Sequence, residues 1–171
     1  MNNLFRRVEF LANIALITLA LLLGAVLVKR YLLHNPQPNQ VIAEPQVKVG
    51  TKLSMEGVDW AKNQRTLLLA LSTNCRFCTE SAPFYQRLAE ARSRSANVKL
   101  LAVLPQELSE SQKYLSDHGI IVDDIKQAMP STIGVAGTPT LIMTDSDGIV
   151  TKSWVGKLPA EREGEVLSWL Q

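Results

Sequence analysis

Cys75-Arg76-Phe77-Cys78 holds the only two cysteines of this 171-residue chain, and the residues on either side fix where in a fold that pair can lie. Before it runs Thr66-Leu67-Leu68-Leu69-Ala70-Leu71-Ser72, with the length and content of a buried strand. After it, Glu80 to Arg94 carries Phe84, Leu88 and Ala91 at helical spacing. The two thiols therefore sit at a strand-to-helix junction, where a C-x-x-C reads as a redox site.

The first turn of a helix offers unpaired N–H groups and the positive end of the macrodipole, and both stabilise an anion. Cys75 is thus expected to be the more acidic thiol and the nucleophile, because the thiolate is the attacking species in disulfide exchange. Cys78, one turn further in, is expected to resolve the mixed disulfide. Asn74, Arg76 and Phe77 are the candidates for tuning its potential. Other uses of the pair fit less well. A structural disulfide closing two intervening residues removes little chain entropy. Zinc needs about four ligands, and the chain offers one C-x-x-C with two distant histidines, His34 and His118. A peroxidatic cysteine would want a hydroxyl and a proline at set distances upstream, but Thr73 is only two residues away and position 68 is Leu. A Cu(I) site built from both thiolates is chemically allowed and is the alternative function: an assembly factor delivering copper to a membrane enzyme.

Phe10 to Val28 is free of charge and long enough for a helix to cross a bilayer, which takes about 20 residues. A cleaved signal peptide would show a shorter apolar core and a small-x-small site, whereas Lys29-Arg30-Tyr31 follows. The sequence therefore predicts a tail over 1–9, an uncleaved anchor over 10–30, a linker over 31–45 rich in turn formers and amides, and a domain over 46–171. Arg6-Arg7 and Lys29-Arg30 flank the span almost equally, so charge does not choose its orientation. A tethered dithiol suits a thiol relay outside the cytoplasm, so the domain is expected on the periplasmic side of a bacterial inner membrane. The net charge of +2 is modest and gives no case for nucleic acid.

Within the domain, Val98 to Leu104 is a second buried-strand candidate that completes a βαβ unit round the cysteines. Ser109 and Gln112 form a capping-box pattern opening a helix to Ser116, with Gly119 as its stop. A small strand at Ile120-Ile121-Val122 and a helical segment over Asp124 to Met129 come next. Pro139 is expected to open a strand through Thr144, and Asp145-Ser146-Asp147-Gly148 to turn the chain into a hairpin partner over Ile149 to Val155. That acidic turn lacks the further oxygen ligands of a calcium loop. Pro159, Glu161 and Glu163 open a closing helix with Val166, Leu167 and Leu170 on one face. Trp60 and Trp154 read as core aromatics in preference to a site rim.

The C-x-x-C after a strand, Pro83 in the following helix, Gly137-Thr138-Pro139-Thr140 before a strand, Asp147-Gly148 in a turn and Trp154-Val155-Gly156 together resemble the thioredoxin superfamily. With the anchor, the chain is most similar to the TlpA/ResA-type thiol-disulfide oxidoreductases. The resemblance implies an α/β, thioredoxin-like fold, a central mixed sheet flanked by helices, preceded by one transmembrane helix. It also implies a cis Pro139 against the dithiol and a Thr138 backbone that binds a substrate chain. The implied partners are protein thiols and disulfides, with no cofactor and no metal. Because there is no third cysteine, a separate redox partner must recycle the dithiol, and the reductive direction is the expectation. The family usually places Trp before the first cysteine and Gly-Pro or Glu-Pro between the two, whereas this chain has Asn74 and Arg76-Phe77.

Overall fold

The computed structural model describes residues 14, 16–24, 47–94 and 97–170, and divides into two units, Met1–Ile42 and Ala43–Gln171. In the first unit, residue 14 and residues 16–24 are helical, with Ile14, Leu16, Ile17, Leu19, Leu21, Leu22 and Leu23 exposed. No helix among the described residues is long and apolar enough to cross a membrane. The predicted tail 1–9, both flanks of the predicted anchor and the linker 31–45 lie outside the described residues.

The second unit is built on a five-stranded sheet in the order β3-β2-β1-β4-β5. Its strands are β1 Arg65–Ala70, β2 Val98–Leu104, β3 Asp124–Gln127, β4 Thr140–Asp145 and β5 Val150–Val155. β1 runs parallel to β2 and antiparallel to β4; β2 and β3 are parallel, and β4 and β5 antiparallel. Among the described residues four α-helices accompany them: α1 Arg76–Glu80, α2 Ala82–Ser93, α3 Leu108–Asp117 and α4 Ala160–Ser168.

Successive strand residues point to opposite faces, so a continuous apolar run can serve two cores at once. Leu67, Leu69 and Leu71 join Leu100, Ala102, Leu104 and Trp154 in a cluster with Phe84, Leu88, Leu115 and Val166 of the helices. Leu68, Ala70, Leu101, Val103 and Ile142 face the other way and are covered by Val47, Leu53, Ile133 and Val135. This explains why the predicted runs at 66–72 and 98–104 show no polar alternation.

Three local expectations change. The helix predicted over Glu80 to Arg94 is α2 from Ala82, while Glu80 ends the separate α1, with Ser81 (φ −91°, ψ 0°) between them. Pro83 lacks the N–H that a continuous helix would aim at Thr79, so the ladder is interrupted at that point. The Ser109–Gln112 capping box is not formed: α3 begins at Leu108, its N-cap is Glu107 without a side-chain bond, and Ser109 lies inside the first turn. The expected strand at 120–122 and helix at 124–129 are replaced by an irregular 120–122 and strand β3, paired from Leu101↔Asp124 to Leu104↔Gln127. Asp124, Lys126 and Gln127 hide that edge strand from a hydrophobic pattern, and pairing with β2 overrides local preference. Gly119 does stop α3, in a left-handed conformation with φ +63°.

The 145–148 turn forms as expected. Asp145 Oδ1 accepts the N–H groups of Asp147 and Ile149, each at 2.9 Å, which gives its carboxylate a backbone role. Gly148 adopts φ +75°, and a Cβ there would lie 2.9 Å from the Trp60 ring. Gly148→Ala therefore combines a left-handed backbone penalty with a steric clash. It should lower unfolding free energy by about 2–3 kcal/mol in a denaturant titration. An unchanged midpoint would show that Trp60 does not hold this turn.

Candidate active site

The site is assembled where β1 ends beside the start of β4, since Ala70 pairs with Thr140. That register brings the loop after β1 against the loop before β4. Cys75 is the N-cap of α1: its backbone is extended (φ −98°, ψ 108°), and its Sγ accepts the Cys78 N–H at 3.1 Å. This is the helix N-terminus that the spacing predicts, with a backbone donor already aimed at the sulfur. Cys75 and Cys78 are joined as a disulfide. Cys78 is fully buried, whereas Cys75 is only partly so, and only the first sulfur offers an approach from solvent.

Thr138–Pro139 is a cis peptide, and the Thr138 carbonyl lies 3.3 Å from Cys75 Sγ. The Pro139 carbonyl accepts the Gly156 N–H at 2.8 Å, and Thr140 Oγ1 donates to the Gly137 carbonyl at 2.8 Å. The loop before β4 is thus braced from both sides. Asn74, Arg76 and Phe77 are exposed beside the disulfide, Phe77 with 54% of its surface open. Ala82 and Tyr85 belong to the same buried cluster as Cys78, and burial pushes the Tyr85 hydroxyl well above its ordinary pKa. Trp154 is fully buried in the same cluster and is a core residue, whereas Trp60 is half-buried and packs against the opposite cluster.

The structure adds residues that the sequence reading did not single out. Gln106 Oε1 accepts the Thr73 N–H at 3.4 Å, and its Nε2 donates to Ser72 Oγ at 3.0 Å. Thr73 Oγ1 donates to Glu110 at 2.7 Å, and the Ser72 carbonyl accepts the Cys75 N–H at 3.2 Å. The loop that presents Cys75 is therefore clamped from the loop after β2. The available signal was positional, because loops at the carboxyl ends of parallel strands collect functional groups. Glu80 carries ion pairs to Arg76 at 2.7 Å and Lys157 at 2.8 Å. His118 caps α3 and stacks on Tyr114, with ring centroids 4.4 Å apart. No group of three or more His, Cys, Asp or Glu arranged for a metal occurs among the described residues.

The sequence profile of the Redoxin family matches residues 45–167, which contain every element of this site. The chain belongs to the Redoxin family. Among solved structures, this Redoxin domain is similar to the thioredoxin domain of a thiol-disulfide oxidoreductase from Bacteroides vulgatus (TM-score 0.57, 12% identity, 73% of this chain and 99% of that one). It is also similar to a thioredoxin-family thiol:disulfide interchange protein from Chlorobium tepidum TLS (0.55, 19%, 72% and 98%) and to StoA from Bacillus subtilis (0.52, 17%, 64% and 84%). At these identities the likeness establishes the fold, which is thioredoxin-like. A search of curated protein sequences finds no match. Family and fold together make this Redoxin domain a thioredoxin-like oxidoreductase with Cys75 and Cys78 as its dithiol.

Proposed function

We propose that this protein is a membrane-anchored thiol-disulfide oxidoreductase that reduces disulfides in other proteins on the periplasmic side of a bacterial inner membrane. The observation that carries the chemistry is the asymmetry of the disulfide: Cys78 is fully buried, whereas Cys75 is part-exposed and receives a backbone N–H. In the reduced protein, the Cys75 thiolate attacks a substrate disulfide, forms a mixed disulfide and releases one substrate thiolate. Cys78 then loses its proton and attacks Cys75 Sγ, which expels the second substrate thiolate and restores the Cys75–Cys78 bond. Two electrons pass to the substrate, and a separate partner must return them. The Thr138 backbone, beside Cys75, is suited to pair with an extended substrate segment.

Anchoring is supported by the charge-free Phe10 to Val28 stretch and by the exposed apolar side chains of the helical residues 16–24. The test uses full-length protein in bacterial cells. It should remain with membranes through an alkaline wash, and a membrane-impermeant maleimide should label its reduced thiols once the outer membrane alone is opened. Labelling only after lysis would place the domain in the cytoplasm. Reduced protein that holds Cu(I) with both thiols shielded from alkylation, while failing to reduce insulin disulfides, would replace this reading with copper delivery.

A further inference from the structure

A chain of contacts runs round the dithiol and is closed by one carboxylate. The Thr138 carbonyl lies 3.3 Å from Cys75 Sγ, and the next carbonyl, that of Pro139, accepts Gly156 N–H at 2.8 Å. Lys157 follows Gly156 and donates to Glu80 Oε2 at 2.8 Å. Glu80 Oε1 accepts Arg76 Nε at 2.7 Å, and Arg76 directly follows Cys75. Each oxygen of Glu80 therefore holds a cation, one from the dithiol turn and one from the loop that braces the cis-proline. The Lys157 hydrogen bond, and then that of Arg76, hold the Glu80 carboxyl below its ordinary 4.5. It is ionised at neutral pH.

We propose that Glu80 is a positioning residue that sets the reduction potential of the Cys75–Cys78 couple by pairing with, and so offsetting, the Arg76 and Lys157 charges beside the dithiol. This inference rests on the thiol-disulfide reading above. Two electrons and two protons convert the disulfide to two thiols, and Cys75 then releases a proton to become the thiolate. A cation near that thiolate favours the reduced state and makes the couple more oxidising. The cluster carries two positive charges and one negative. Glu80→Gln raises its net charge, whereas Lys157→Met lowers it, although both substitutions break the same clasp. A clasp acting only through structure would shift the potential the same way in both variants.

The experiment equilibrates the full-length wild type, Glu80→Gln and Lys157→Met with glutathione redox buffers at neutral pH and low salt. Glu80→Gln should favour the reduced form by about three- to tenfold, or ~15–30 mV more positive. Lys157→Met should move towards the disulfide. Both shifts should shrink near 1 M salt, where the Debye length falls to about 3 Å. Shifts in the same direction, or none while the wild type titrates as a two-electron couple, would overturn the proposal. A wild type that shows no such couple would overturn both this inference and the function it rests on.

Discussion

Cys75→Ser should lower catalysed disulfide reduction by about a thousandfold or more, as removal of a covalent nucleophile does elsewhere. Cys75 Sγ is the part-exposed sulfur, sits at the N-cap of α1 and has the Cys78 N–H directed at it. A serine hydroxyl in the same place ionises far too weakly to replace a thiolate. Cys78 cannot substitute, because it is fully buried and a substrate disulfide has no path to it. Both activities can be read from insulin turbidity, with a small synthetic disulfide as the control for substrate size. A Cys75→Ser protein that keeps more than about a tenth of wild-type turnover would move the nucleophile elsewhere.

Trp154→Ala should cost the domain about 3–5 kcal/mol, the range for removing a large aromatic from a well-packed core. Trp154 has no exposed surface, pairs across the sheet with Leu141 and belongs to the cluster that contains Cys78, Tyr85, Val166 and Leu170. Its indole thus helps join β5 to the helical layer that carries the dithiol. Against a typical total of about 5–15 kcal/mol, such a loss leaves little reserve and should lower Tm by roughly 10–20 °C. Far-UV circular dichroism measures this without relying on the tryptophan signal that the substitution alters. A loss below about 1 kcal/mol would show that the surrounding side chains collapse into the space, contrary to a tightly packed core.

How far the sequence disclosed the molecule differed from element to element. β1 and β2 were legible because both of their faces are buried, so residues 67–71 and 100–104 could be nothing but apolar. The hairpin was legible because Asp145 and Gly148 perform jobs that few other residues can perform. β3 was not legible: it is a short edge strand, and what makes it a strand is hydrogen bonding to β2 rather than anything in Asp124–Gln127. The break at Ser81 follows from Pro83, whose missing N–H leaves a helix continuous through that point without a bond.

The site divides in the same manner. Cys75, Cys78, Thr138 and Pro139 converge as the family resemblance implied, across a sequence separation of 63 between Cys75 and Thr138. Asn74, Arg76 and Phe77 stand exposed at the rim. Gln106, Glu110 and Lys157 were not foreseen, since each reaches the site from a segment distant in sequence, two from loops and Glu110 from the first turn of α3, through an ordinary polar side chain. No motif marks a glutamine that clamps another loop or a lysine that neutralises a glutamate. Only the pairing of strands brings them within reach.

What decides the mechanism is which sulfur takes the substrate. A Cys78→Ser protein retains the attacking thiol but loses the thiol that resolves, so it should accumulate mixed disulfides with its protein substrates. Mass spectrometry of the trapped species, after proteolysis without reductant, should locate the bond at Cys75. If Cys78→Ser traps no substrate, or if Cys75→Ser traps as much through Cys78, the account is contradicted.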